Sequence, residues 1–543
     1  MPSFYLQSNI RSLKNNKTIS FETMSDLRSS PKSRYYIFLC ICVLIFAVSL
    51  LFRLMKLFID PDLQRDPTLY LLWARNWYET GDHHFSILDA PVRSVVFPIW
   101  VIKTFMSSGL GVEVVGRGLS LFLGSVIPVI GFAIAMRIGR NIRIALVMAF
   151  LLAIHPDLVP YSVQPLRENF YVFFESLLLL TIVESVKNGT LFNWGACGVL
   201  VSFLSFCRYE GMEFILIVPF VMVGMAVIDK IKRKSVFLNI ASFSICFGIA
   251  SLFLLSLSGF ETGILSKLED IGLLSKLQKV LGIHLTDGAG TVRTEKIVET
   301  VANDAEKRSL IDSLVKTIKG VNIFIFIWMI PGVYLVLRER KGKDNRKLYL
   351  YFAATGFMIA WRVAIRIITS RYSVALIIPF AFFAAVFLVN TFRKRHIPVM
   401  LAVCAFTICT FALYVKMDFD SMTRYHYSTI VSDAFKKYDE TQKRNYVVRR
   451  VEYTRLTFMC DTKNVVRPIK DSETFYGFFK KQGGIRPRTV VCYQIKKDND
   501  ALRGFRNVKK LVSIPQNEKG TKKQIISSVS SEQGELPVFG DGR

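Results

Sequence analysis

The sequence predicts an all-α polytopic membrane domain of about eleven transmembrane helices, followed by a small extramembrane α/β domain at the C-terminus. Two observations carry this. Hydrophobic residues make up 51% of the chain, 44 of them Phe, and the mean hydropathy is +0.36, well above that of a soluble domain with 21% charged residues. The charges are also sorted: when the apolar runs are laid across a bilayer, every short loop rich in Lys and Arg falls on one face.

A span needs roughly 20 mainly apolar residues. In chain order the candidates are 36–57, 118–137, 142–156, 169–186, 192–207, 212–228, 236–258, 321–337, 348–368, 373–391 and 398–415. The stretch at 94–109 reads as a helix lying at the surface. The N-terminal arm, 1–35, is basic and polar, without the apolar core and cleavage site of a signal peptide, and is placed in the cytoplasm. The loops with Arg137, Arg140 and Arg143, then Lys230 to Lys234, Arg338 to Lys347 and Arg393 to Arg395, then all lie inside. A full span at 94–109 would put these loops outside, which decides against it.

Three larger segments fall outside: 58–117, 259–320, and the tail from 416. The middle one has helix-period stretches around 295–316 and a flexible centre at Gly288 and Gly290, which suits either a lid or a plain amphipathic loop. In the tail, 416–518 reads as a small domain, with Asn445 to Tyr453 and Thr489 to Ile495 as strands, and 519–543 as a disordered end.

Seven of the nine cysteines sit in apolar spans as small hydrophobes. Cys460 and Cys492 stand alone in the tail, as a disulfide or as two thiols. No Cys/His spacing fits a metal site. The net charge of +28 is in large part positive-inside charge and not a nucleic-acid signal. The tail itself holds 26 Lys or Arg against 15 Asp or Glu, a surface that suits anionic headgroups or a phosphorylated glycolipid, or simply solubility.

The same layout gathers Asp66, Glu168, Arg208, Glu210 and the Arg371-Tyr372 pair at the mouth of the outer face. Charges beside apolar spans are costly and usually mark function. Asp66-Pro67 reads as a helix start, with Asp66 at the N-cap and Tyr70 and Ala74 on the same face; capping alone would explain it. Glu168 follows Arg167 where the chain re-enters the membrane, and a surface ion pair is its plainer explanation. A carboxylate in such a place can instead take a proton from a nucleophile while a second orients its partner. Arg208 and Glu210 end the fifth span; Arg371 opens the tenth, one and two turns beyond Arg366 and Arg362. The planar guanidinium fork suits phosphate, against the alternative of snorkelling to the interface. Acids and arginines together suggest chemistry on a lipid-linked phosphate.

These stretches resemble the integral-membrane glycosyltransferases of the GT-C class that use polyprenyl-phosphate sugars, in the branch of the protein O-mannosyltransferases and lipid A aminoarabinose transferases. Asp66-x-x-x-Tyr70-x-x-x-Ala74-Arg75 is similar to the first-loop segment bearing that branch's catalytic Asp. Arg117-x-x-Ser120-x-x-x-Gly124 resembles its second span, His155-Pro156 through Glu168 its next outer loop, and Arg371-Tyr372 with Pro379 its late Arg-Tyr pattern. The resemblance covers about 36–415. One departure stands out: relatives carry a phosphate-binding Lys before a Pro-Pro-Leu-like segment, where this chain reads Asp89-Ala90-Pro91-Val92-Arg93, leaving Arg93 as the candidate substitute.

The resemblance implies inverting hexosyl or pentosyl transfer at the non-cytoplasmic face, from a polyprenyl-phosphate sugar to a lipid, glycan or protein hydroxyl. It implies Asp66 and Glu168 as catalytic groups, and Arg371, Tyr372, Arg208, Glu210, Arg93 and Tyr70 as substrate-binding ones. No metal or other cofactor is expected, and no nucleic-acid partner. The membrane expected is a bacterial inner membrane rather than endoplasmic reticulum, with the C-terminus outside. The competing expectation is a transporter or flippase for a lipid-linked or anionic solute, which would place its charges near mid-span.

Overall fold

The computed structural model describes residues 31–59, 63, 65–82, 86–87, 90–91, 96–139, 141–229, 233–257, 321–338, 370–391 and five C-terminal strands, with scattered positions within 315–318, 349–360 and 405–409. The chain divides into two compact units, Met1–Ile45 and Phe46–Arg543. The described part of the first is the opening of helix α1 (Pro31–Ile59), where Tyr35, Tyr36, Val43 and Leu44 are exposed, as expected of a helix facing lipid.

The second unit continues α1 and adds α2 (Arg65–Thr80), α3 (Val96–Met106), α4 (Val112–Gly139), α5 (Ile142–Ala153), α6 (Leu158–Val163), α7 (Arg167–Asn188), α8 (Leu191–Cys207), α9 (Phe214–Asp229), α10 (Arg233–Leu257), α11 (Ile323–Arg338) and α12 (Ile377–Thr391). Short 3-10 helices at Tyr209–Glu213 and Ser370–Leu376 lead into α9 and α12. Among the described residues six helices are long and apolar enough to cross a bilayer: Tyr35–Ile59, Val112–Gly139, Arg167–Asn188, Glu210–Val227, Lys234–Leu257 and Ser373–Thr391. The spans read at 142–156, 192–207 and 321–337 are shorter apolar helices, and those at 348–368 and 398–415 lie largely outside the described residues. The architecture is that of a multi-pass membrane protein. The 11 residues of α3 rise only about 16 Å, half of a bilayer core, in keeping with a helix at the surface.

Turn chemistry sets which ends meet. Gly189, at φ 60, caps α7 in the left-handed region, and Thr190 then caps α8 by accepting from the Asn193 N–H. That tight reversal makes α7 and α8 an antiparallel pair, so the start of α7 and the end of α8 lie at one end. Elsewhere glycine lets helices touch. A β-carbon on Gly332 of α11 would collide with the Phe383 carbonyl of α12, and one on Gly198 of α8 with the Phe243 carbonyl of α10, the small-residue contact that membrane helices favour. On α4, Gly124 lies against Ser162 and Arg53, and Ser120 offers its carbonyl to Asn169 Nδ2 at 2.7 Å. Ser120 and Gly124 of the Arg117-Ser120-Gly124 pattern therefore seat α4 on its neighbours, while Arg117 pairs with Glu113 on α4 itself. Arg53, fully buried, donates to Ala153 O at 3.2 Å and to Ser49, tying the second unit's part of α1 to the end of α5.

The tail holds a five-stranded sheet of β3 (Asn445–Arg449), β4 (Val466–Ile469), β5 (Thr489–Ile495), β6 (Val508–Ser513) and β7 (Lys523–Val529), in the order β4-β3-β5-β7-β6; β1 (Ser86–Ile87) and β2 (Ala90–Pro91) form a small hairpin in the first loop. β3 pairs in parallel with β4 and β5, while β7 runs antiparallel between β5 and β6. The strands expected at 445 and 489 are there. The disordered end expected at 519–543 is corrected in part: β7 lies inside it, because Ile525, Ile526 and Val529 make a β-branched run that completes the pairing of β5 and β6. The segment 259–320, read as a lid or a plain amphipathic loop, lies outside the described residues except for 315, 317 and 318, and so does Cys460.

Candidate functional site

The site begins with the packing of α2. Tyr70, Leu71, Trp73, Ala74 and Trp77 join Ile99, Ile102 and Met106 of α3, Val112 and Val115 of α4, and Leu166 in one apolar cluster. Gly116 is the hinge of this packing: a β-carbon there would sit 2.5 Å from Leu71 Cδ2 and 3.2 Å from Pro165 Cβ. The absence of a side chain on α4 thus lets the first loop close on the segment leading into α7. Asp66 falls in the first turn of α2, which begins at Arg65 and not after Asp66 as a cap would require. A carboxylate there still meets the positive end of the helix dipole.

Opposite α2 stand the facing ends of α7 and α8. Arg208, 4% exposed, closes α8 and spends its fork on two acids. Its Nη1 donates to Glu168 Oε1 at 3.0 Å, while Nη2 and Nε donate to Glu210 at 2.9 and 3.2 Å. Glu168 and Glu210 are themselves buried. Burial pulls the Arg208 guanidinium down, and the carboxylates of Glu210 and Glu168 more than reverse that. The Tyr171 ring lies 5.9 Å from the same guanidinium. Arg167 approaches Glu168 Oε1 with its Nε at 3.8 Å, and its side chain is 27% exposed.

Tyr70 joins the two sides. Burial pushes its hydroxyl up to about 12, with Arg167, Glu168, Asp66 and Arg208 all close enough to act on it. At neutral pH it is therefore a hydrogen-bond donor ringed by two acids and two arginines. The structure brings Asp66, Tyr70, Glu168, Arg208 and Glu210 together at one end of the helices. Arg371 and Tyr372 lie in the 3-10 helix Ser370–Leu376, which packs against α7; Arg93, Arg362 and Arg366 lie outside the described residues.

Sequence reasoning passed over two groups. Asp157, at the start of α6, is part-exposed but set deep, and burial pushes its carboxyl up to about 7. The His155-Pro156 segment before it was the available signal. Arg167 was read only as a partner of Glu168. No group of His, Cys, Asp or Glu among the described residues is arranged to hold a metal.

Among solved structures, the fold is similar to those of an ArnT and of an archaeal oligosaccharyltransferase. The chain is similar to ArnT from Cupriavidus metallidurans bound to undecaprenyl phosphate, with a TM-score of 0.58 at 12% identity, covering 93% of this chain and 100% of that one. It is also similar to the oligosaccharyltransferase AglB from Archaeoglobus fulgidus in complex with an inhibitory peptide and a dolichol-phosphate, with a TM-score of 0.53 at 11% identity, covering 93% of this chain and 75% of that one. No family model and no curated protein matches the sequence.

Proposed function

We propose that the protein is a membrane glycosyltransferase that moves a sugar from a polyprenyl phosphate to a hydroxyl acceptor at the non-cytoplasmic face. The observation that carries this is the closing of Asp66 and Tyr70 on α2 against the Glu168-Arg208-Glu210 network at one end of the helices, in a fold shared with proteins solved with undecaprenyl phosphate and dolichol-phosphate. Clustering at one end suits chemistry at the membrane surface better than a path of charges through mid-span.

In this reading the donor's isoprenoid stays in the bilayer and its sugar phosphate sits between α2 and α7. Asp66 takes the proton as an acceptor oxygen attacks the anomeric carbon. The bond from that carbon to the phosphate oxygen breaks, polyprenyl phosphate leaves, and the anomeric configuration inverts. Tyr70 and Arg371 are the groups suited to charge developing on the leaving phosphate. Arg208 holds Glu168 in place, and Glu168 orients the acceptor hydroxyl. The acceptor is a lipid, a glycan or a protein, and the setting a bacterial inner membrane.

The test is to incubate the purified protein in liposomes with labelled polyprenyl-phosphate sugars and membrane, glycan and protein fractions as acceptors. Label should pass from donor to acceptor with release of polyprenyl phosphate. Label that crosses the bilayer still attached to its lipid would support a flippase instead.

A further inference from the structure

We infer that Arg167 is the guanidinium that grips the donor's phosphate, with Arg208 serving as an internal strut. The inference rests on the transferase reading and changes which residue does the binding. Arg208 matches the pattern expected of a phosphate ligand, yet all three of its nitrogens donate to Glu168 and Glu210, and it is 4% exposed. Taking on a phosphate would mean releasing a buried carboxylate, a costly exchange.

Arg167 is in the opposite condition. Its contact with Glu168 is 3.8 Å, longer than a hydrogen bond, and its Nε makes no hydrogen bond among the described residues. A quarter of its side chain is open, so the fork can reach a ligand without losing an existing bond. It stands at the first position of α7, directly after Leu166 of the apolar cluster that holds Tyr70. The Arg167 charge is close enough to act on the Tyr70 hydroxyl, so the two can offer donors to the same oxygen-rich group from two elements, α2 and α7. A phosphodiester with its glycosidic oxygen between them would be held at the point where negative charge develops as the sugar departs.

The experiment measures binding of a long-chain polyprenyl phosphate, the matching polyprenol and phosphatidylglycerol to the full-length protein in detergent. The parent should prefer polyprenyl phosphate to polyprenol. Arg167→Gln should lose about 10- to 100-fold of that affinity with polyprenol binding unchanged, and Arg167→Lys several-fold, since it keeps the charge without the fork. Parent-like binding by Arg167→Gln overturns the inference and leaves the transferase reading standing. No preference for the phosphate in the parent overturns that reading and this one with it. Equal competition by phosphatidylglycerol marks a bilayer headgroup contact and overturns the donor assignment. Should Arg167→Gln fail to fold, Arg167→Lys decides, and parent-like affinity in it is the contrary result.

Discussion

Arg208 shows how one side chain can unite a site and endanger it. Removing its guanidinium takes away the buried counter-charge that Glu168 and Glu210 share, a loss of about 3–5 kcal/mol, so Arg208→Ala should melt far below the parent in detergent. Arg208→Met combined with Glu168→Gln and Glu210→Gln should recover most of that loss, since both buried carboxylate charges are removed along with the guanidinium. Asp157 offers a second check, through pH. With its carboxyl at about 7 in the folded protein and 3.8 ordinarily, the fold holds a proton between those values that the unfolded chain releases. Stability therefore falls as pH rises across that window. Asp157→Asn should flatten the dependence and melt above the parent at pH 8; an unchanged pH profile would show that the burial of Asp157 is not felt. Much of this was visible beforehand: Glu168, Arg208 and Glu210 stand out because charge beside apolar runs is rare. Their pairing was not, because Glu168 and Arg208 are 40 residues apart in sequence, and no local pattern shows that a hairpin of α7 and α8 folds them together.

At the scale of elements, long apolar runs among the described residues are helices where they were expected, since a membrane span must satisfy its own backbone. The helix expected at 94–109 is there as α3, whose 11 residues are fewer than a bilayer span needs. What periodicity did not show was contact. Gly332 reads as a helix-weakening residue in a sequence, while in the structure it is where α11 meets the backbone of α12. Gly332→Leu should force the two helices apart and cost about 1–3 kcal/mol or more, seen as a lowered melting temperature, whereas the same change at Gly248, with open space around it, should be mild. Asp66 is a related case: Asp-Pro announces a helix start, but the first turn and the cap differ by a residue or two, within the fraying of helix ends. The strand at Lys523–Val529 was missed because polar composition near a chain end looks like disorder, and pairing on both sides outweighed it.

At the scale of the molecule, a scaffold of antiparallel membrane helices brings loops far apart in sequence to one end, and the first loop folds over them as a small apolar core. That core fixes Tyr70, and with it Asp66 one turn away, against the start of α7. The central claim is that this closure makes Asp66 the base of a sugar transfer. It is tested most directly by the initial rate of transfer from a polyprenyl-phosphate sugar catalysed by Asp66→Asn in liposomes. Asn suits a helix start nearly as well as Asp, so the variant should keep the parent's melting temperature while its rate falls by about 10² to 10⁴. A rate like the parent's, in a folded Asp66→Asn protein, would remove Asp66 from the chemistry and contradict the account.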